Sequence, residues 1–510
     1  MEPQSSTNSN LTFIQRLTRS DVNPLNHKSR TLPIFNVVDK YGRAFHLSWI
    51  GFFVAFLSWF AFPPLIHGVI KEDLNLTHSQ IANSNIIGLL ATFLVRLVVG
   101  PLCDRYGPRY VMIGCLVLGA IPTAFTPLIR NSTDLVIIRF FVGILGGTFV
   151  PCQVWTNQFF DANIIGLSNG LAAGWGNAGG GLTFFVMPGI VTWLMESHGI
   201  SRYWAWRLAF PLCPLIIILL IALACLLLAD DTPTGPWKNR NLLSSSDHSQ
   251  EATTMNLDDL EKQETDGNNS DPSQIPLTGD HSIPTDATKS TLRSKESRSS
   301  TGFVEILKAA VSPQTFLVAL PYMCSFGSEL AVEGMISDFY VQTAQVADGI
   351  VWSSRKAGIW ASVFGLLNVF TRPLGGYFSD VLYNKKGVFA KKWWMIFLQV
   401  MQGIFFLRIG IERLNISSLL VMMTGLAVFM EAANGAVFSL VPNVNKEHNG
   451  VVSGVTGGFG NVGGIVFGLM FRINGANYQR SYWMIGIVCI VANLIVGLIP
   501  IHNKSNKIIT

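Results

Sequence analysis

Two arginines interrupt apolar stretches of the sequence at matching places. Arg96 lies in LLATFLVRLVVG and Arg372 lies in FGLLNVFTRPLGG. No acid lies one helical turn from either arginine, and an unpaired charge inside an apolar helix is costly. A guanidinium offers coplanar N–H donors that bind two oxygens of a planar oxyanion at once, which a lysine cannot do. We therefore expect an anion site; the alternative is that each arginine forms a structural ion pair with an acid on another helix.

The arginines belong to motifs that occur once in each half of the chain. These are Arg96-x3-Gly100-x3-Asp104 with Arg372-x3-Gly376-x3-Asp380, and AGWGNAGGG (173–181) around Asn177 with GGFGNVGG (457–464) around Asn461. The two pairs have similar offsets, which indicates that one unit was duplicated in parallel orientation. Parallel repeats are typical of two-bundle transporters that hold their substrate near the membrane midplane.

The composition places these motifs in a membrane protein. Only 13% of the 510 residues are charged and 49% are hydrophobic, which excludes most soluble architectures. The seven cysteines have no spacing typical of a metal or redox site, so we expect no metal and no cofactor. The net charge of +5 is too small and too scattered to indicate a nucleic-acid partner.

Twelve apolar stretches are long enough to cross a bilayer, which takes about twenty residues each. The predicted spans are 46–69, 84–102, 110–129, 134–156, 164–193, 206–229, 313–337, 357–379, 393–411, 416–440, 451–471 and 481–501. Unpaired backbone groups are not tolerated in lipid, so the spans must be helices. The expected fold class is an all-α integral membrane protein with two pseudo-symmetric six-helix bundles at 45–229 and 303–501. Polar tails at 1–44 and 502–510 flank the bundles.

The segment 230–302 between the halves differs from the rest of the chain. It is rich in Ser, Thr, Asp, Asn and Pro and cannot bury enough apolar surface to fold, so we expect disorder. Its basic end, RSKESRSS, is a candidate phosphorylation target, with a passive solvated linker as the alternative. Kinases or the ubiquitin machinery are therefore candidate partners of 230–302.

Loop charges predict the orientation. Lys and Arg are more frequent in the tails and loops on the side of the termini, which favours cytoplasmic termini in a multi-pass protein of the plasma membrane. Three glycosylation sequons, at Asn75, Asn131 and Asn415, would then face outward. Each lies close to a membrane end, so glycosylation stays open.

Four sequence features resemble a known superfamily or one of its families. Gly100, Asp104, Arg105, Gly107 and Arg109 form G-x3-D-R-x-G-x-R, similar to the loop motif after the second helix of the major facilitator superfamily. Arg139-x3-Gly143-x3-Gly147 resembles its fourth-helix motif. GWGNAGGG resembles the signature of the nitrate/nitrite porter family, and the long linker resembles that of fungal and yeast high-affinity nitrate transporters. The copy at Asp380 departs from the loop motif, with VLYNKKG in place of the basic run.

The resemblance, which covers about 40–500 apart from most of the linker, implies a site for nitrate and nitrite between Arg96 and Arg372. It implies that Tyr322 and Phe326 contact the anion. Asp104, Arg105 and Arg109, with Asp380 as counterpart, are expected to form a cytoplasmic latch. The residues themselves indicate that Asn177 and Asn461 donate amide hydrogens to an oxyanion. The glycines around these asparagines are expected to serve packing, with a narrowed cavity as the alternative: Gly170, Gly174, Gly176, Gly180, Gly181, Gly454, Gly457, Gly458, Gly460, Gly463 and Gly464.

Two acids inside spans are functional candidates by default. Tyr322, Phe326, Glu329 and Glu333 recur on one helix face, and Glu431 lies in FMEAANG. Glu329 and Glu431 are candidates to carry transported protons. The alternative is that they balance the charge of Arg96, Arg372 or Arg139 when the site is empty.

The expected function is proton-coupled uptake of nitrate by a secondary transporter, which is not an enzyme. A negative cell interior opposes anion entry, so concentrating uptake needs a cation. The alternatives are a nitrate/nitrite exchanger and a nitrate receptor that signals through the linker. A sugar or drug carrier would leave the symmetric arginines unexplained.

Overall fold

The computed structural model describes residues 12–239, 298–445 and 447–501. The chain forms two compact units. One combines the chain up to Pro233 with the chain from Ala309 onward, and Thr234–Lys308 form the other. The predicted spans and the motifs described above all lie in the first unit.

Eleven stretches of the described residues are long and apolar enough to cross a membrane. Most of the predicted spans reappear with longer ends, because the helices continue past the apolar core. In chain order the stretches are span 1 Lys40–Leu65, span 2 Ser79–Tyr106, span 3 Pro108–Leu128, span 4 Ser132–Phe159, span 5 Ile165–His198, span 6 Arg202–Leu228, span 7 Pro313–Glu333, Lys356–Ile411, span 10 Ile416–Val444, span 11 Asn449–Asn474 and span 12 Tyr478–Leu498.

The stretch Lys356–Ile411 accounts for the two remaining predicted spans. A helix of its 56 residues would be about 84 Å long, nearly three times the hydrocarbon thickness of about 30 Å. Its continuity is broken at Gly387, where φ is 69° and ψ is −163°. The positive φ is a conformation that glycine adopts without strain. Gly387 therefore divides the stretch into span 8 (356–386) and span 9 (388–411), and the all-α fold with twelve spans is confirmed.

Glycines set the contacts between the two halves. A Cβ at Gly454 of span 11 would lie 2.5 Å from the carbonyl oxygen of Arg96, and one at Gly170 of span 5 would lie 2.9 Å from that of Arg372. Each arginine-bearing helix therefore crosses the glycine-rich helix of the opposite half at backbone contact. Small residues permit such close approach, and the two crossings repeat the duplication seen in the sequence.

The outer surfaces of the spans are apolar. In span 6, Leu219, Leu220, Leu223 and Leu227 are all about half exposed or more. Water-soluble proteins rarely expose so large an apolar surface, so this surface is suited to contact with lipid. The polar side chains discussed below lie inside the bundles.

The segment before span 1 is folded. It begins with a short helix, Phe13–Thr18, and continues to Ser29 and Leu32, which are both buried. The backbone N–H of Ser29 donates to the carbonyl of Phe159 over 2.9 Å, and the Lys28 ammonium donates to the carbonyl of Asn157 over 2.6 Å. Residues 12–39 are thus packed on the junction between spans 4 and 5.

The boundaries of the central segment differ from the sequence expectation. Asp230 pairs with Arg43 over 2.8 Å and Asp231 with Arg109 over 3.3 Å, so the ordered bundle extends past residue 229. A helix, Arg298–Ala310, covers the end of the predicted linker. The prediction of disorder for 240–297 and the C-terminal tail 502–510 lie outside the described residues.

Candidate functional site

The two repeated arginines lie against the same aromatic rings. Both side chains are fully buried. The guanidinium carbon of Arg96 lies 4.9 Å from the centroid of Phe149 and 5.7 Å from that of Phe326. The corresponding distances for Arg372 are 5.7 Å and 5.9 Å. Spans 2, 4, 7 and 8 thus bring two positive charges to one place between the halves.

Arg96 is held mainly by backbone. Its Nε donates to the carbonyl of Gly146 over 2.9 Å, and its Nη1 donates to the carbonyl of Gly457 over 2.6 Å. Gly457 lies on span 11, so this bond crosses between the halves. The remaining nitrogen, Nη2, is buried and has no partner among the described residues.

Arg372 is held by a side chain. Its Nη2 donates to the hydroxyl of Tyr322 over 2.9 Å. Its Nε and Nη1 are buried without a partner in the described part of the chain. Together the two arginines therefore keep three guanidinium nitrogens uncommitted, and an uncommitted buried donor is costly unless a ligand satisfies it.

Within the described ranges, neither arginine forms an ion pair with a carboxylate. The expected alternative, a structural ion pair for each arginine, is therefore not found there. Arg139 also lacks an acidic partner in these ranges and donates to the hydroxyl of Ser84 over 2.7 Å and the amide oxygen of Asn85 over 2.6 Å.

The cluster of aromatic rings beside the two arginines, formed by Phe149, Tyr322, Phe326 and Phe438, is called the aromatic wall below. Two of them, Phe149 and Phe438, are not singled out by the sequence analysis. Phe149 is nearly parallel to Tyr322 at 6.0 Å, and Tyr322 is stacked on Phe326 at 5.1 Å. Phe438 packs edge-on against both Phe149, at 4.7 Å, and Tyr322, at 4.8 Å. A phenylalanine in an apolar helix is usually a core residue, so no signal in the sequence distinguishes these two.

The repeated asparagines lie differently relative to the arginines. Asn461 donates from Nδ2 to the Gly457 carbonyl over 3.1 Å, the same carbonyl that Arg96 uses, and its Oδ1 is buried without a described partner. Asn177 is 7% exposed, and neither of its amide atoms has a described partner. Asn177 lies one turn after Gly174, which packs on the backbone of Asn368 rather than on Arg372.

Most of the glycines that the sequence analysis assigns to helix packing do pack against other helices. A Cβ at Gly174, Gly176, Gly180, Gly458 or Gly463 would meet Asn368, Phe52, Phe56, Phe93 or Met323, respectively. Gly460 is different, because a Cβ there would lie 2.7 Å from Phe326 and 2.9 Å from Tyr322. Gly460 therefore borders the aromatic wall directly.

The two buried acids lie on spans 7 and 10. Glu329 accepts hydrogen bonds from the amide nitrogens of Asn368 and Asn434, each over 2.6 Å. Glu431 Oε2 is hydrogen-bonded to the hydroxyl of Thr371 over 2.5 Å. Within the described ranges neither acid forms an ion pair with Arg96, Arg372 or Arg139.

Comparison with known proteins places the chain in a family. Residues 48–468 match the Major Facilitator Superfamily. High affinity nitrate transporter 2.5 of Arabidopsis thaliana is 33% identical over 93% of this chain and 82% of its own length. The chain belongs to the Major Facilitator Superfamily.

Other relatives in the superfamily carry different names. Nitrate/nitrite transporter NrtP of Nostoc punctiforme is 29% identical over 87% of this chain and 89% of its own length. Elsinochrome transporter 1 of Elsinoe fawcettii is 33% identical over 92% of this chain and 94% of its own length. The family resemblance noted in the sequence is confirmed, and the protein is a multi-pass membrane transporter rather than an enzyme.

The loop motif of the superfamily contacts the opposite half. Asp104 accepts from the backbone N–H groups of Gly450 over 2.8 Å and Val451 over 3.0 Å, at the start of span 11. Asp380 accepts in the same way from Gly166 over 3.0 Å and Leu167 over 2.8 Å, at the start of span 5. A carboxylate at a helix N-terminus is stabilised by the exposed N–H groups and the helix dipole.

The basic residues near the two aspartates are arranged differently. Arg109 pairs with Asp231, and Arg105 lies over the ring of Tyr106 at 5.2 Å. In the second copy, Lys391 is fully buried and pairs with Asp380 over 3.0 Å. The segment VLYNKKG, which departs from the motif, is thus followed by a lysine that brings a positive charge to Asp380.

The three sequons all precede spans that begin on the side opposite the termini. Asn131 and Asn415 are the N-terminal caps of their helices, where the amide oxygens accept from Asp134 and Ser418. Asn75 has a φ of 49° in the turn before span 2. Glycosylation at these positions remains a prediction.

Proposed function

We propose that this protein takes up nitrate, and also nitrite, across the plasma membrane by proton-coupled alternating access. The observation that carries the proposal is the pair of buried guanidiniums, which share two aromatic rings and keep three nitrogens uncommitted. The names of relatives such as High affinity nitrate transporter 2.5 support the choice of substrate.

The charge and shape of the site favour a small planar anion. Such an anion loses its water shell when it enters, and the uncommitted N–H donors of Arg96 and Arg372 replace the lost hydrogen bonds. Both guanidiniums lie against the flat rings of Phe149 and Phe326, which suits a planar partner. Nitrate and nitrite combine one negative charge with coplanar oxygens, which suits both constraints.

Tyr322 and Asn461 complete the proposed anion site. The Tyr322 hydroxyl orients Arg372, and Asn461 shares the Gly457 carbonyl with Arg96. We assign Asn177 a weaker role, because its neighbour Gly174 packs one turn away from Arg372.

Coupling to protons follows from the charge of the substrate. A membrane potential of 100 mV opposes each entering negative charge by about 2.3 kcal/mol. Two protons per nitrate would make the moving complex positive, so that the potential drives uptake. Glu329 and Glu431 are the proposed proton carriers because both are buried inside spans beside Arg372 and have no cationic partner in the described ranges.

Alternating access requires a gate, and we assign it to Asp104 and Asp380. Each aspartate ties the start of a helix in the other half, so access from the side of the termini requires both contacts to break. With cytoplasmic termini, as the loop charges predict, this is the cytoplasmic latch, and the sequons face outward.

Voltage-clamped cells that express this chain alone provide the test. We expect inward current evoked by nitrate and nitrite, larger at acidic external pH, with chloride inactive. A substrate-evoked flux without current or pH dependence would favour nitrate/nitrite exchange, and binding without flux would favour a receptor that signals through 230–302. Elsinochrome belongs in the same panel, because one relative is named for it; its transport in place of nitrate would overturn the proposal.

A further inference from the structure

The two buried acids have different hydrogen-bond partners. Both carboxyl oxygens of Glu329 lie 2.6 Å from amide nitrogens, Oε1 from Asn368 and Oε2 from Asn434. An amide nitrogen can only donate. A group that accepts a short bond at each oxygen has the pattern of an ionised carboxylate.

Glu431 has the opposite pattern. The Thr371 hydroxyl oxygen lies 2.5 Å from Glu431 Oε2 and 2.9 Å from the carbonyl oxygen of Leu367. A hydroxyl has one hydrogen and a carbonyl has none to give. When the Thr371 hydrogen is donated to the Leu367 carbonyl, the hydrogen in the shorter contact must come from Glu431.

The second oxygen of Glu431 supports the same assignment. Glu431 is fully buried, and its Oε1 has no partner among the described residues. An unpartnered oxygen of an ionised carboxylate is far more costly to bury than the carbonyl oxygen of a neutral acid. The geometry therefore distinguishes an ionised Glu329 from a neutral Glu431, which the sequence alone cannot do.

We infer that in this conformation Glu431 holds a transported proton and donates a hydrogen bond to Thr371, whereas Glu329 is ionised. This inference rests on the proposed proton-coupled function. Release breaks the O–H bond of Glu431 and transfers the proton to a water molecule that enters when the site opens toward the termini. Reloading from water on the opposite side restores the neutral acid.

The charges around Glu431 link its proton to the anion. The titratable groups that act on it are Glu329 and Glu333 of span 7 and Arg372 of span 8. Thr371, which accepts the hydrogen bond from Glu431, is the residue next to Arg372 in the chain. Nitrate at Arg372 cancels the positive charge that would stabilise an ionised Glu431, so the anion and the proton stabilise each other's binding by reciprocity.

Infrared spectroscopy of the purified full-length protein near neutral pH tests the proton's location without any transport. The carbonyl stretch of a protonated carboxylic acid should disappear in Glu431→Gln and remain in Glu329→Gln. A band that survives Glu431→Gln, or that Glu329→Gln removes, overturns the inference. Thr371→Val should shift the band because the hydrogen bond is lost, and Thr371→Ser should keep its position; an unshifted band in Thr371→Val also overturns it.

Transport assays give the functional outcome. Glu431→Gln should abolish the stimulation of nitrate uptake by external acid and the nitrate-evoked current, while nitrate still protects the purified protein against thermal unfolding. Glu412→Gln is the matched control, since Glu412 is a partly exposed acid outside the proposed site and is paired with Arg408. Acid-stimulated uptake that persists in Glu431→Gln contradicts the inference alone. Absence of nitrate flux in the unmodified protein contradicts the proposed function, and the infrared result still decides where the proton lies.

Discussion

The two halves carry the same motif but hold their arginines by different means. In the N-terminal half, Arg96 is fixed by the backbone carbonyls of Gly146 and Gly457 and keeps one nitrogen uncommitted. In the C-terminal half, the Arg372 guanidinium hydrogen-bonds among the described residues only to the Tyr322 hydroxyl and keeps two nitrogens uncommitted. Backbone partners cannot change rotamer, whereas a tyrosine can. The duplicated motif thus supplies one rigid charge and one adaptable charge.

The buried acids also differ between the two halves. Glu329 and Glu431 belong to spans 7 and 10, whereas the sequence of span 1 has no acid and span 4 has only Asp134 in its first turn. The C-terminal half therefore combines the adaptable arginine with the candidate proton carriers. Duplication followed by specialisation of one copy accounts for this asymmetry.

The largest expected effect is the loss of nitrate affinity when either arginine is replaced, and the two losses should differ in size. Arg372→Lys should weaken nitrate affinity about 100-fold, because two charge-assisted hydrogen bonds worth about 1.5 kcal/mol each are lost. Arg96→Lys should weaken it about tenfold, since only one nitrogen is uncommitted. The measurement is the nitrate dependence of uptake or current in surface-expressed protein.

Arg480→Lys serves as the control for this pair, because Arg480 is an exposed arginine in the same protein. Equal losses for the two site variants would break the distinction between a rigid and an adaptable charge. Unchanged affinity in both would refute the anion site itself.

The second expected effect concerns Lys391, the buried positive charge that pairs with Asp380. Asp380→Asn should destabilise the protein by about 3–5 kcal/mol, because it leaves the buried Lys391 without its carboxylate. Adding Lys391→Met to this variant should recover much of the loss. Thermal unfolding in detergent measures both effects, and a double variant no more stable than the single one would show that the ion pair is not the source.

A smaller effect distinguishes the repeated asparagines. Asn461→Leu should lower nitrate uptake roughly tenfold by removing one hydrogen-bonding amide beside the Arg96–Gly457 bond. Asn177→Leu should have less effect, because Gly174, one turn before it, packs on Asn368 rather than on Arg372. Uptake must be corrected for the amount of protein at the surface, where both variants should appear. A larger loss in Asn177→Leu would reverse our assignment.

The smallest effect is expected outside the described bundles. Deleting 245–295 should leave the nitrate affinity and the transport rate per molecule unchanged, because all proposed site residues lie in the spans. It should alter the abundance of the protein or its response to nitrogen supply. Quantified surface protein and uptake kinetics separate these outcomes, and a lost transport rate per molecule would contradict the separation.

Much of the fold and part of the site could be predicted from the sequence. Hydropathy and the costs of backbone burial in lipid determine the twelve helices, and the repeated spacing identifies Arg96 and Arg372. Phe149 and Phe438 could not be found, since a buried aromatic has the same local pattern whether it lines a site or a core. Their role depends on how helices from opposite halves meet.

Lys391 shows a second limit of sequence reasoning. It lies in KKGVFAKK, which has the composition of an exposed basic loop, and the loop-charge argument treats it as one. In the structure Gly387 turns the chain so that Lys391 reaches Asp380, and Lys392 donates to the carbonyls of Gly497 over 2.7 Å and Ile499 over 2.6 Å. The partners of Lys392 lie 105 and 107 residues away, so local pattern alone does not reveal them.

The folded segment before span 1 has a consequence for synthesis. Lys28 and its partner Asn157 are 129 residues apart, so the early segment leaves the ribosome long before its binding surface exists. At elongation rates of about 5–20 residues per second, the delay is roughly 6–26 s. During that time Leu32 and its neighbours are available to chaperones, and their docking marks the completion of the first four spans. Truncations that remove this segment as a mere tail should therefore impair maturation before they affect transport.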